Sequence, residues 1–338
     1  TGDESIQPTA DVMNKLIKAH GMAGDAEKAE SIFRDLLEEE GELKANYKSW
    51  IQTMKAYASS PEGTEKVSDL FQEMVKAERM GEEEYKPRTA AYNAKIKALS
   101  MTSDGAAEAE AMLFDMISKF REGDECLRPD AETFRNVMTA HRRLKSPSGA
   151  KIEHLLQIQD GLYGTYGMED LKLDERQYHV AMGIIARSRE HNKATIVRRL
   201  VEKLKNSNDP NIPVSERAYY TLLSACAYTN GTPEQNFAAF QIAVDTLKEL
   251  REFLGHEPDS ACFGMFLRAC ANLMPESPKR DGVVRSVFKK CCAEGHVNDF
   301  VLLEFERASS EALELELLGG FLADDVRIPK DWRRNIKQ

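Results

Sequence analysis

The sequence has no apolar stretch long enough to cross a bilayer, so no membrane-inserted helix is expected. It has no run of alternating β-branched residues that would form a strand. Catalytic signatures are missing as well. There is no Gly-x-x-x-x-Gly-Lys phosphate loop and no His-Glu-x-x-His metal pair. Gly161, Gly164 and Gly167 are spaced by three, but no strand precedes them, so they read as a flexible turn and not as a dinucleotide loop. Asp324 and Asp325 have no base or metal ligand beside them in the sequence and read as solvated. The six cysteines, Cys126, Cys226, Cys262, Cys270, Cys291 and Cys292, never adopt the Cys-x-x-Cys spacing of a structural zinc site. Cys291 and Cys292 with His296 make a weak cluster at most. Free thiols in this pattern fit a reducing compartment. The expectation is a non-enzyme with no cofactor, no metal and no small-molecule substrate. Basic charge is also short: 46 Lys and Arg stand against 56 Asp and Glu, for a net charge of −10, where nucleic-acid binders usually carry a basic footprint. No signal or transit peptide is visible.

What the sequence does contain is a repeated pair. An aromatic or large apolar residue is followed six positions later by a small one: Met13/Ala19, Trp50/Ala56, Tyr92/Ala98, Phe134/Ala140, Tyr178/Ile184, Tyr219/Ala225 and Phe263/Ala269. Only Ile184 interrupts the alanine column. The large residues are 37, 42, 42, 44, 41 and 44 positions apart, and self-similarity at such a period means stacked repeats. Each large residue opens a helical pattern, as in Tyr219, Leu222, Leu223, Cys226 and Ala227. A break follows, and then a second helical run, as in Ala26, Ala29, Ile32, Phe33, Leu36 and Leu37 after Ala23-Gly24-Asp25. Pro or an acid often precedes the next large residue (Lys86-Pro87-Arg88, Arg128-Pro129-Asp130, Glu257-Pro258-Asp259), because Pro disfavours helix at the residue before it. Cys226 and Cys270 occupy one repeat position beside the alanine column and read as small buried apolar residues.

These features predict an all-α solenoid, a right-handed superhelix of about seven helix-turn-helix repeats. Its expected parts are an N-terminal extension over residues 1–9, the repeats over 10–292, atypical capping helices over 293–318 and a basic tail over 319–338. Trp332 in that tail is expected either to lie against the last helix or to help grip a partner. Net charge is not spread evenly. The seven first-helix windows (10–22, 47–59, 89–101, 131–145, 175–191, 216–228 and 260–272) together carry +10, which leaves −20 for the rest.

A first helix reading aromatic-x-x-Leu/Ile-Ile-x-Ala, a second with Ala and Phe, and then Pro-Asp resembles the pentatricopeptide repeat. Met13–Ala19, Tyr92–Ala98 and Tyr219–Ala225 carry the resemblance best, and it spans roughly residues 8–292. The tetratricopeptide repeat is a related helix pair with a period of about 34. Its Trp…Leu-Gly…Tyr spacing is missing here, and the recurring Pro-Asp ends favour the pentatricopeptide reading. Most repeats are longer than that family's usual unit. The excess falls after the second helices, for example at Arg79–Tyr85 and Asn206–Pro213, and reads as surface loops.

The resemblance implies single-stranded RNA as partner, in a mitochondrion or plastid, with one base read per repeat by two or three side chains. By the same resemblance, the reader pairs would be Asn14/Asn46, Ile51/Arg88, Asn93/Asp130, Arg135/Asp174, His179/Ser215 and Tyr220/Asp259, with Gly264 unpaired. Asn93/Asp130 is of the type that favours uracil. Ile51, Tyr220 and Gly264 do not fit a hydrogen-bonding code, so only weak sequence preference is expected. The phosphate candidates are Lys18, Lys55, Lys97 and Arg268, each four residues after a reader and on the same helix face, together with Arg142, Arg143 and Arg187. The apolar readers leave a second possibility open: a scaffold that binds protein subunits of a large organelle assembly and does not read RNA.

Overall fold

The computed structural model describes residues 9–206, 214–322 and 327–336. Among the described residues the regular structure is entirely helical, with sixteen α-helices, short 3-10 turns and no strand. Two compact units divide the chain. Unit 1 comprises residues up to Lys145 with Ile158–Lys172; unit 2 comprises Ser146–Gln157 with Leu173 onward.

Unit 1 holds α1 (Ala10–Met22), α2 (Ala26–Glu38), α3 (Tyr47–Tyr57), α4 (Thr64–Arg79), α5 (Thr89–Leu99), α6 (Ala106–Arg121) and α7 (Ala131–Arg143). The first part of α8 (Gly149–Tyr166) belongs to unit 2 and the rest to unit 1. Within unit 1, α1, α3 and α5 each pack on their own second helix and on the next first helix, so α1 meets α3, α3 meets α5, and α5 meets α7. The sequence dictates the local pieces. In α2, Ala29, Ile32, Phe33 and Leu36 are buried at helical spacing, and the Asp25 carboxylate accepts from the Lys28 N–H at 3.1 Å to cap the helix.

The large and small residues found at the repeat period are the seams of this stack. Trp50, Tyr92, Phe134, Tyr219 and Phe263 are buried, and so are Ala98, Ala140, Ala225 and Ala269. Close approach is visible at the first seam, where a Cβ added to Gly21 would stand 2.7 Å from the Cβ of Ala56. Ala19 is exposed, because α1 has no described helix on its other side.

The extra length of the repeats is more ordered than the surface loops expected from sequence. A 3-10 turn follows the second helix four times, at Gly41–Leu43, Glu83–Tyr85, Glu125–Leu127 and Glu169–Leu171. In the last three, the final residue (Tyr85, Leu127 or Leu171) is buried under exposed acids. The Tyr85 hydroxyl donates to the Ala45 carbonyl at 2.8 Å, and its ring lies 5.8 Å from that of Trp50. A glycine at positive φ (Gly81 at 100°, Gly123 at 106°) lets the chain leave the helix and enter the turn. Most of the second expected loop, 207–213, lies outside the described residues. The three spaced glycines are not one turn: Gly161 and Gly164 lie within α8, and only Gly167, at φ 64°, follows its end.

Unit 2 continues with α9 (Glu175–Ala186), α10 (Lys193–Lys205), α11 (Glu216–Ala227), α12 (Pro233–Leu254), α13 (Ser260–Leu273), α14 (Pro278–Glu294), α15 (Asp299–Ala308) and α16 (Glu311–Leu318). Its first helices pack in the same order, α9 on α11, α11 on α13, and α15 on α13. Helix α12 is the longest described, at 22 residues. Thr232 and Gln235 form a capping box at its start, Pro233 opens it, and Gly255 at φ 70° ends it. Trp332 lies against the last repeat, its ring edge-on to Phe288 of α14 at 5.9 Å, and its carbonyl accepts from the Val297 N–H at 2.8 Å. Asp324 and Asp325 lie outside the described residues. No described helix is long and apolar enough to cross a membrane.

Candidate nucleic-acid interface

The residues that end each repeat have a local task. Asn46, Asp130, Asp174 and Asp259 are N-caps of α3, α7, α9 and α13, and each side chain accepts from the first-turn backbone. Three are capping boxes, closed in return by Ser49, Thr133 and Gln177. Ser215 is the N-cap residue of α11 without a side-chain cap bond.

Three of the six reader pairs implied by the resemblance are bonded to each other across repeats. The Asn14 amide donates to the Asn46 Oδ1 at 3.1 Å. The Asn93 amide donates to both Asp130 oxygens, at 3.0 and 3.1 Å, while its own Oδ1 accepts from the Thr133 hydroxyl at 2.7 Å. The His179 Nε2 stands 3.0 Å from the Ser215 hydroxyl and 3.2 Å from Glu175. Asn14 and Asn93 are only 1% and 3% exposed. A base reaches either amide only by displacing these bonds. Asn46, Asp130, Asp174, His179 and Tyr220 are half-buried, and Asp259 is exposed. Burial pushes the Tyr220 phenol above its ordinary pKa. Arg135 is half-buried on α7.

The cations fall into two groups. Lys18 and Lys55 are exposed and Lys97 is half-buried, at one position of α1, α3 and α5. None of the three has an ion-pair partner among the described residues. Other unit 1 cations are held by acids: Arg34 by Glu73 at 2.6 Å, Lys86 by Asp124 at 2.9 Å, and Lys95 by Glu108 at 2.8 Å. Neighbouring packed helices stand about 8–10 Å apart, so the column offers one cation per helix step. Arg142 and Arg143 are exposed in the last turn of α7, where the helix dipole favours positive charge.

Unit 2 is arranged differently. Arg187 is the exposed C-cap of α9, which ends five residues before the window drawn from sequence. Arg268 binds Glu304 of α15 at 2.5 Å and is flanked by the rings of Tyr228 and Phe300, at 5.0 and 5.2 Å. Glu304 is fully buried. The Phe300 ring covers Gly264 so closely that any added Cβ would collide with it. Helix α15 therefore occupies the seventh reader position and its phosphate candidate together.

Thr133, Ser49, Glu304 and Phe300 were missed by the sequence reading. The first two are signalled by the Asp/Asn-x-x-Ser/Thr pattern of a capping box. The other two have no local signal.

A scan of protein-family models finds no match to this chain, and a search of curated proteins finds none either. Among solved structures, the chain is similar to the pentatricopeptide repeat protein PPR10 in complex with an 18-nt PSAJ RNA element, at 13% identity and a TM-score of 0.30 over 90% of this chain. The chain spans about half the length of that protein, 52% of it.

Proposed function

We propose that the protein is a non-catalytic binder of single-stranded RNA with weak sequence preference, and that unit 1 presents the strand to its first helices. The observation that carries this reading is the column Lys18, Lys55 and Lys97, without an ion-pair partner among the described residues, on three successive first helices of an acidic chain. Arg142 and Arg143 extend the basic character at α7. Phosphates supply most of the affinity of such an interface, through release of condensed counterions. Sequence preference is weak because Asn14 and Asn93 hold the caps of the next helices. Tyr220 offers a half-buried ring for stacking, worth about 1–3 kcal/mol per base. Membership of the pentatricopeptide-repeat family, and work on RNA in a mitochondrion or plastid, rest on the sequence resemblance.

The test is binding to fluorescent single-stranded RNA pools, against single-stranded DNA and duplex, at two salt concentrations. Salt-sensitive binding selective for single-stranded RNA supports the reading. Absence of binding at low salt overturns it.

A further inference from the structure

Among the described residues, the second helices of unit 2 are tied together by ion pairs at every junction but one. Arg199 of α10 reaches Glu153 of α8 at 2.6 Å. Glu249 of α12 accepts from Arg198 of α10 at 2.6 and 3.0 Å and also from Lys205. Arg285 of α14 reaches Glu316 of α16 at 2.7 Å. Between α12 and α14 no such bridge exists along the described helices. The nearest is Glu257, past the end of α12, which pairs with Arg251 and Lys290 at 2.8 and 2.5 Å.

The unbridged junction is an open apolar groove. Two adjoining cavities, of about 680 and 600 Å³, share Phe240 and Lys279. Buried Phe240, Leu247, Phe266 and Val287 form the floor. Phe237 and Val244 stand at the edge, 58% and 38% exposed. Gly282 widens the α14 side, with no heavy atom within 4 Å of where its Cβ would be. Lys248 and Lys279 line the groove without an ion-pair partner among the described residues, and no described acid lines either cavity, although the chain as a whole carries −10.

We propose that this groove docks an acidic amphipathic helix of a protein partner. Its apolar stripe covers Phe237, Phe240 and Val244, and its carboxylates meet Lys248 and Lys279. Charge complementarity selects this occupant. At the neighbouring junctions a glutamate of the chain itself answers the cations; here Glu257 answers only Arg251 and Lys290, and the partner brings the acids that meet Lys248 and Lys279. The span from Phe237 to Arg251 is about 21 Å at 1.5 Å per residue, which accommodates roughly four turns of helix. An apolar face laid into a groove, with anchors three, four and seven residues apart, is an established mode of peptide recognition.

The test is selection of a phage-displayed library of helical peptides on the full chain. The expected peptides carry apolar residues at helical spacing and excess Asp and Glu. They should slow hydrogen exchange over residues 237–251 and 279–290. They should lose at least about tenfold in affinity to K248E/K279E, and Phe237→Ala should weaken them too. The same double variant should gain affinity for copies with their acids changed to Lys, a reversal that a misfolded variant would not give. Failure to enrich above an unrelated protein, enrichment of basic peptides, or affinities unchanged in K248E/K279E overturns the proposal. So does displacement of the peptides by single-stranded RNA at the groove, which would make the surface a nucleic-acid site.

Discussion

The amide of Asn93 on α5 donates to both carboxylate oxygens of Asp130, 37 residues away at the cap of α7. One carboxylate thus caps its own helix and holds the helix before it. Asn93→Ala removes the partner that Thr133 and Asp130 share across the repeat, leaving them only the bonds of their own capping box, and should cost about 1–3 kcal/mol in urea unfolding. Asp130→Ala also removes the cap, worth about 1 kcal/mol alone. A double-mutant cycle should return a coupling of about 0.5–3 kcal/mol. Zero coupling would mean that the two residues act independently.

Arg268 and Glu304 make the opposite kind of pair, a charge buried with its counter-charge. Arg268→Ala leaves the buried Glu304 carboxylate only the exposed Arg307, 3.5 Å away, and should cost up to about 3–5 kcal/mol, whereas replacing Arg268 and Glu304 by apolar residues of similar size should restore most of the loss. Thermal melts of the single and double variants decide this, and a single variant that melts like the parent would sink it.

The alanine column makes two opposed predictions. Ala98 is completely buried, so Ala98→Leu should destabilise by about 1–3 kcal/mol through overpacking. Ala19 is exposed, so Ala19→Leu should stay within about 0.5 kcal/mol. Equal shifts in the two melting temperatures would show the seam to be misplaced.

Lys55→Ala with Lys97→Ala should weaken RNA binding and flatten its dependence on salt. On single strands, the log–log slope falls by about 0.7 for each phosphate that the protein no longer neutralises. Titrations over a range of salt would measure it, and an unchanged slope would remove both lysines from the interface.

Glu249 gives a pH signature. Burial pulls its carboxyl upward, but hydrogen bonds from Arg198 and Lys205 outweigh this and leave the pKa below the ordinary 4.5. A carboxyl depressed on folding contributes stability above its unfolded pKa, and that contribution is lost as pH falls through the folded one. Glu249→Gln should therefore lower stability at neutral pH and flatten the acid limb below about pH 4.5. Parallel stability–pH curves for parent and variant would contradict this.

Much of the fold was legible because its signals are local and repeated. Seven large residues, six of them with an alanine six positions on, marked the first helices, and α1, α3, α5, α7, α9, α11 and α13 begin where their windows begin. The 3-10 turns were not legible: each is three residues long, and in Glu83–Tyr85 a single buried tyrosine hides behind two exposed acids. Of the candidate site, the lysine column could be read from spacing alone. The resemblance paired Asn93 with Asp130 as base readers, but that they bond each other, and that Arg268 binds Glu304, could not be read, since the partners lie 37 and 36 residues away and only packing brings them near.

The 3-10 turns at Glu83–Tyr85 and Glu125–Leu127 are 42 residues apart and end alike, on one buried side chain four residues before a first helix begins. Interchangeable joints fix where chain length can change. Duplicating or excising one whole interval leaves each cap facing its helix and each seam intact. An insertion between the turn and the first helix, at residues 86–88 or 128–130, pulls the helix start out of register, whereas the unequal spacing of the repeats shows that length elsewhere in the interval is absorbed. Length variation among descendants of this chain should therefore spare these joints.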